Sequence, residues 1–389
     1  MAEKKKIIRA TTIPMSLDAF CNGMLRELSN DYDVVALSSP DEMLTLVGQR
    51  EGVRTIGVKM ERHMAPLKDI VSLWKLIMVF RKEKPDIVHS MTPKAGLLCM
   101  MAAWITRVRV RIHTFTGLVW PTAKGMKRKI LMMTDKLTCA CATHVIPEGE
   151  GVKNDLLNYG ITRKPIQVLG YGNVRGVDMD YYDKKRVEGQ YETLRDDGFF
   201  TFLFVGRIVG DKGINELVKA FNRMQKQYEN VRLWLVGNYE DNLDPITQES
   251  RDIIDTDASI IAHGPKYGDD LLAYYASADC FVFPSYREGF PNTVLEAGAM
   301  ELPCIVTDIN GSREIISGMK TETGKMRICG NGVIIPSKDE NALFESMAWI
   351  LENKEAAKEM GKVARTMIGE RYEQGYVRKC LYDFYKTLL

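Results

Sequence analysis

The run Phe199-Phe-Thr-Phe-Leu-Phe-Val205 enters the loop Gly206-Arg-Ile-Val-Gly-Asp-Lys-Gly213 and leaves it as Ile214-Asn-Glu-Leu-Val-Lys-Ala-Phe-Asn-Arg-Met-Gln-Lys-Gln227. The first seven residues are aromatic or branched and predict a strand. Ile214, Leu217, Val218, Phe221 and Met224 then recur at a 3.6-residue period, so a helix follows over 214–227. Outward from this unit the alternation continues, with strands expected at 231–236, 259–262, 280–284, 304–307 and 332–335 and helices filling most of the chain beyond Asp339. The first half repeats the pattern, with strands expected at 6–11, 33–38, 53–58, 86–90, 108–114, 143–146 and 166–169. Between them lie helical patterns such as 67–82, whose apolar residues stand at 67, 70, 71, 73, 74, 77 and 78.

Strand–helix alternation of this kind indicates parallel, doubly wound sheets. The stretch Gly170-Tyr-Gly-Asn-Val-Arg-Gly-Val-Asp178 reads as a linker between two of them. The expected architecture is α/β, with two Rossmann-like domains facing across a cleft. Residues 1–172 form the first, 173–371 the second, and 372–389 a C-terminal helix packing back on the N-terminal domain. Ligands of such sheets bind outside the carboxyl ends of the strands. A cleft between two sheets is a natural place to join two substrates.

The 389 residues, 45% hydrophobic and 27% charged, suit two globular domains. The longest apolar run, 95–105, is far short of the roughly 20 residues that span a bilayer. Lys4, Lys5 and Lys6 lead into a short strand-like segment instead of a leader's apolar core, so a cytoplasmic chain is expected. The eight cysteines, at 21, 99, 139, 141, 280, 304, 329 and 380, form no CxxC pair and suit reduced core thiols. Histidines at 63, 89, 113, 144 and 263 show no metal-ligand spacing, so no metal and no other cofactor is expected. No GxGxxG stands between a strand and a helix, which argues against a dehydrogenase. Residues 1–170 hold 26 basic and 16 acidic side chains, and the remainder 27 and 35. A basic first half suits an anionic membrane or a phosphorylated acceptor; uneven surface charge without function is the alternative. No nucleic-acid partner is expected.

Three loops of the second half fall at the C-terminal ends of expected strands. In 205–213, two glycines let backbone approach a ligand, and Arg207 and Lys212 flank the start of a helix. Two cations and a helix N-terminus make a diphosphate site that needs no metal. The other reading is a glycine-rich turn with two solvated cations. In 284–298, Glu288 sits in a turn and Glu296 in a helix opening near Thr293. Both carboxylates can accept hydrogen bonds from sugar hydroxyls, on either side of a diphosphate resting on the amides of Asn292, Thr293 and Val294. Alternatively Glu296 closes a capping box with Thr293, and Glu288 is an exposed loop carboxylate. The third loop, His263-Gly-Pro-Lys-Tyr267, borders a nucleobase or is an ordinary turn.

Glu288 and Glu296, seven residues apart in EGFPNTVLEA, resemble the EX7E motif of glycosyltransferase family 4. VGRIVGDKG resembles that family's Arg…Lys loop, TDINGSREII the stretch beyond the motif, and NGVIIP the strand that follows. In the first half HSMTPKAGLLCMMAA, RIHTFTGLVWP and LGYGNVRGVD are similar to segments of members that build bacterial surface polysaccharides. The ordered resemblance covers nearly the whole chain. It implies a GT-B fold and retaining, metal-independent transfer from a nucleotide-diphosphate sugar, commonly a UDP-sugar. The acceptor would be a saccharide or a polyprenyl-diphosphate-linked sugar, in capsule, O-antigen or exopolysaccharide synthesis.

Carried over by position, Glu288 would contact the donor sugar, Glu296 the ribose, and Arg207 and Lys212 the departing diphosphate. Gly206, Gly237, His263, Pro265, Phe290, Pro291, Asn292, Thr293 and Val294 complete the expected donor contacts. The first half departs from the family. Thr11-Thr-Ile-Pro-Met-Ser16 stands where many members have Gly-Gly, and Thr116 stands where many have histidine. His113 either substitutes for that histidine or ends a strand. His89, Lys94 and Thr116 are the acceptor-side candidates, with ordinary structural roles as the alternative. Two rival functions fit the architecture: a nucleotide-sugar epimerase and a non-catalytic nucleotide-sugar-binding protein. Finally, Lys124, Lys127, Arg128 and Lys129 ahead of Ile130-Leu-Met-Met133 make a helix able to lie on an anionic leaflet or simply pack on its own domain.

Overall fold

The computed structural model describes residues 4–196, 198–241 and 244–388. The chain forms two compact units; unit 1 runs to Arg175 and takes the chain back from Gly375, and unit 2 is Gly176–Gln374. The division falls three residues beyond each boundary expected at 172 and 371. The reason is local: Val177 and Glu373 pair as an isolated bridge, and the Gln374 amide donates to the Val177 carbonyl at 2.9 Å, tying both segments into unit 2.

Unit 1 holds six parallel strands in the order β3-β2-β1-β4-β5-β6. They are β1 Lys6–Ala10, β2 Asp33–Ser38, β3 Arg54–Gly57, β4 Ile87–Met91, β5 Val110–Phe115 and β6 His144–Pro147. On one face, helices Pro66–Glu83, Pro93–Ile105 and Gly125–Cys141 contribute Phe80, Leu98 and Cys139 to a core shared with Ile8 and Val88. On the other, Leu17, Leu25 and Val47 meet Ile7 and Ala36, and the C-terminal helix Gln374–Lys386 adds Leu381 and Tyr385. The expected strand at 166–169 is absent. Ile166 packs against the first core and Leu169 against the second, so two apolar residues on opposite sides imitate strand alternation without a pairing partner.

The 66–83 helix turns over relative to its apolar pattern. Leu67, Ile70, Val71, Trp74 and Met78 point outward, while Ser72, Leu76 and Phe80 are buried. Polar anchors explain the orientation. Asp69 pairs with Lys94, the Ser72 hydroxyl donates to the Lys59 carbonyl at 2.7 Å, and Glu83 accepts from Arg54 at 2.9 Å and from Lys6 at 3.2 Å. All three lie on the inward side of the helix, at the angles that 3.6 residues per turn assign to Leu76.

Unit 2 has eight strands in the order β12-β13-β14-β11-β10-β7-β8-β9. They are β7 Phe200–Val205, β8 Val231–Val236, β9 Ile260–Gly264, β10 Cys280–Phe283, β11 Cys304–Thr307, β12 Met319–Thr323, β13 Met326–Cys329 and β14 Gly332–Ile335. The first five and β14 are parallel, and β12–β13 is an antiparallel hairpin on the β14 edge. Every residue of β12 is exposed, so it carries no apolar alternation from which it could be foreseen. All eight cysteines are free thiols. Among the described residues no helix is long and apolar enough to cross a membrane, and no cluster of His, Cys, Asp or Glu is placed to hold a metal ion.

Candidate functional site

In unit 2 the loops after β7 and β10 are locked together by backbone contact. Gly213 has φ +72°, and a Cβ there would stand 2.1 Å from the Pro284 carbonyl oxygen. The Tyr286 amide donates to the Asp211 carbonyl at 2.8 Å and the Ser285 hydroxyl to the same oxygen at 3.3 Å. The strand ends of β7 and β8 meet as closely, since a Cβ on Gly237 would lie 1.8 Å from the Gly206 carbonyl oxygen. Such approaches admit only glycine.

This packing brings Lys212 onto Glu288 as an ion pair, with both side chains largely shielded. The Ser285 hydroxyl adds a 2.7 Å bond to Glu288 Oε1, and the Lys212 ammonium lies 5.4 Å from the Phe283 ring centroid. Arg207 donates to Glu240 at 2.8 Å. Burial alone would lower the Arg207 pKa, but the bond and charge of Glu240, with the charges of Asp211 and Glu288, together outweigh it and hold the guanidinium charged. Glu240, Ser285 and Asp211 escaped sequence reading because their roles depend on which loops meet.

Helix Asn292–Ala299 begins after Pro291, and no side chain caps it. Thr293 is therefore its second residue, and the capping box with Glu296 does not form. Glu296 is buried and accepts from the Tyr275 hydroxyl at 3.2 Å. Of the three amides expected to cradle a diphosphate, that of Val294 instead donates to the Pro291 carbonyl at 3.1 Å, as the first turn tightens. Asn292 and Thr293 lead the helix, and Phe290 is buried against Tyr372 with ring centroids 5.4 Å apart. Gly311, at φ +74°, presses on this loop; a Cβ there would be 2.5 Å from the Gly289 carbonyl oxygen.

His263 lies between Trp234 and Tyr274, edge-on at 5.3 and 4.7 Å, and bonds the Tyr274 hydroxyl at 3.0 Å. Its Nε2 is buried without a hydrogen-bond partner. Burial and then Lys266 bring its pKa down to about 4, so the ring is neutral at pH 7. Pro265, two residues on, is exposed.

In unit 1, His89 is not poised for an acceptor. It is buried beneath the 374–386 helix, where Nδ1 meets Arg9 at 2.8 Å and the Tyr385 hydroxyl at 2.6 Å, and Nε2 meets Thr114 at 2.7 Å. Both nitrogens are thus consumed by packing polar groups, and the acceptor-side expectation gives way to a structural role. Lys94 is paired with Asp69, and Thr116 is half-buried just past β5. The Thr12 hydroxyl accepts from the Ala95 amide at 3.1 Å, so the loop that replaces Gly-Gly caps the 93–105 helix.

His113 is buried, bonded through Nδ1 to Ser90 at 2.9 Å, and packed on Gly96, where a Cβ would be 2.4 Å from the ring. Burial brings its pKa down to about 3, only partly offset by Ser90. The folded state therefore excludes a proton that the unfolded chain accepts below its ordinary pKa near 6.5. Stability from this group is whole above that value and falls as pH drops. Between pH 7.5 and 5.0, urea unfolding should show about 2 kcal/mol lost through His113. An imidazole NMR signal of His113 titrating near pH 6.5 would contradict it.

Two family models match the chain, "Glycosyl transferase 4-like domain" over residues 19–172 and "Glycosyl transferases group 1" over 189–367. The capsular polysaccharide biosynthesis glycosyltransferase CapM of Staphylococcus aureus is 32% identical over 100% of this chain and 98% of its own length. A Campylobacter jejuni enzyme, N,N'-diacetylbacillosaminyl-diphospho-undecaprenol alpha-1,3-N-acetylgalactosaminyltransferase, is 25% identical over 91% of this chain and 94% of its own. HepE of Anabaena, solved in complex with UDP, superposes with a TM-score of 0.78 over 98% of this chain and 100% of its own, at 14% identity. The fold is GT-B, built from two Rossmann-like α/β domains. The chain belongs to the family 4-type glycosyltransferases of bacterial polysaccharide synthesis.

Proposed function

We propose that the protein retains anomeric configuration while moving a sugar from a UDP-sugar to a polyprenyl-diphosphate-linked acceptor, without a divalent ion, at the cytoplasmic surface of a membrane. The observation that carries the donor side is the Lys212–Glu288 pair, held where the β7 and β10 loops lock, with charged Arg207 on the same loop as Lys212. In this reading Lys212 and Glu288 occupy each other until donor arrives. Lys212 then turns to the diphosphate, which frees Glu288 to accept bonds from the sugar's hydroxyls. As the C1–O bond breaks, Arg207 and Lys212 balance the charge gathering on the departing diphosphate. The acceptor hydroxyl bonds to C1 on the same face, and its proton passes to a diphosphate oxygen. Glu296 would hold the ribose, and Asn292 and Thr293 would offer their amides to the diphosphate.

The acceptor class and retention draw on the Campylobacter relative, whose name specifies a diphospho-undecaprenol-linked acceptor and an alpha-1,3 product. An alpha product from an alpha-linked nucleotide sugar is retention. UDP as the nucleotide draws on the Anabaena complex. The test is direct. Among UDP- and GDP-sugars, one UDP-sugar should raise the melting temperature. With that donor, proton NMR should show an alpha-linked product, and EDTA should leave the rate within about twofold of normal. A beta product, or abolition by EDTA, would overturn the mechanism. A product sugar still joined to its nucleoside diphosphate, with no free UDP released, would indicate an epimerase.

A further inference from the structure

The outward face of the 66–83 helix is more apolar than its buried one. Leu67 is 81% exposed, Ile70 64%, Trp74 62% and Met78 47%, and with Val71 they fill an arc of about 100°. On the same side of the sheet the 125–141 helix repeats the arrangement with Met126, Ile130, Met133 and Leu137. Its neighbours Leu131 and Met132 pack inward, so the run 130–133 divides between core and surface. A soluble surface does not leave two such apolar stripes exposed without a use for them.

Charge identifies the occupant. Lys68, Lys75 and Lys82 border the first stripe, and Lys127, Lys129 and Lys136 the second. The acidic residues of the two helices are all withdrawn: Asp69 and Glu83 are paired with cations, and Asp135 is buried against Trp120. Neither outward face presents an acidic side chain. A second copy docking the same patch about a two-fold axis would oppose lysine to lysine, which disfavours self-association. Lys68 is paired with Glu61 at 3.0 Å, and the other lysines leave the apolar stripes framed chiefly by cations, which matches an anionic interface with an apolar interior.

We propose that the outward faces of the 66–83 and 125–141 helices together dock unit 1 on an anionic lipid bilayer, with Leu67, Ile70, Trp74, Met126 and Met133 entering the acyl boundary and the lysines meeting headgroups. This deepens the membrane part of the reading above and identifies the 66–83 helix as its principal anchor.

The test is co-sedimentation of the full chain, without substrates, with vesicles of phosphatidylcholine alone or mixed with phosphatidylglycerol. Wild type should bind only the mixed vesicles. Ile70→Ser/Trp74→Ser and Lys127→Gln/Lys129→Gln should each weaken binding at least about tenfold. Both pairs are surface changes, so the melting temperature should be unmoved. Brominated lipid should quench a share of the tryptophan fluorescence that disappears in Trp74→Phe. Equal binding by all variants, or none by wild type, would overturn the proposal. So would a wild-type dimer that Ile70→Ser/Trp74→Ser turns into monomer without any vesicle binding. UDP release with a water-soluble acceptor reads the transfer reaction separately, so failure at the membrane and failure of the donor site are distinguishable.

Discussion

Lys212→Ala should lower kcat by about 10³ while leaving the protein folded. The ammonium is the cation closest to Glu288, and under the proposed mechanism it meets negative charge that develops only as the sugar leaves. Its loss therefore falls on kcat more than on KM. The fold should hold, because Glu288 keeps its 2.7 Å bond from Ser285 and its side chain retains 17% exposure. Lys212→Met, which keeps length without charge, should match alanine, and Glu288→Ala should also be inactive. Because the two residues form one ion pair, the double variant should lose much less than the product of the single losses. Steady-state kinetics on the four variants check this. Near-normal rates for Lys212→Ala and Glu288→Ala would remove these residues from the mechanism.

The second large effect belongs to backbone. Gly213→Ala places a Cβ against the Pro284 carbonyl, 2.1 Å away, in a residue whose φ of +72° already disfavours any side chain. Two main-chain segments must part to relieve that overlap. The expected cost is about 3 kcal/mol, or roughly ten degrees in melting temperature for a unit of this size. Donor binding should weaken as well, since Lys212 and Glu288 ride on the two segments. Gly268→Ala is the control, with φ +58° but nothing within 4 Å of the added atom, and should cost only about 1 kcal/mol. Equal melting temperatures for the two variants would refute the close-approach argument.

What sequence could and could not disclose follows from how far each signal reaches. The β7 strand, its loop and its helix were legible because apolar period and glycine placement are local. The pairing of Lys212 with Glu288 was legible only as a shared function, since 76 residues separate them and no spacing rule joins them. The 66–83 helix shows the opposite failure. Its apolar period located the helix correctly, but three anchors, Asp69, Ser72 and Glu83, chose the other face for burial. Period identifies a stripe and does not say what covers it. Glu296 looked like a cap because its spacing from Thr293 fits one; a start at Asn292, one residue earlier than expected, moved it out of range. The expected strand 86–90 sets His89 near its end, as an acceptor-side residue should be, but His89 is the middle residue of β4, and only Tyr385, nearly three hundred positions away, shows it to be enclosed.

That same tyrosine has a bearing on biogenesis. Unit 2 is one continuous segment, complete once Gln374 has left the ribosome, whereas unit 1 awaits the 374–386 helix that follows it. Until Tyr385 arrives, Arg9 lacks the hydroxyl that answers its buried guanidinium at 2.7 Å, and Leu17, Leu25 and Ile7 lack their cover. Vectorial synthesis ordinarily lets the leading domain mature first. Here the leading unit is finished after the one that follows it, and a nascent chain stalled before residue 375 would carry a folded unit 2 beside an open, aggregation-prone unit 1.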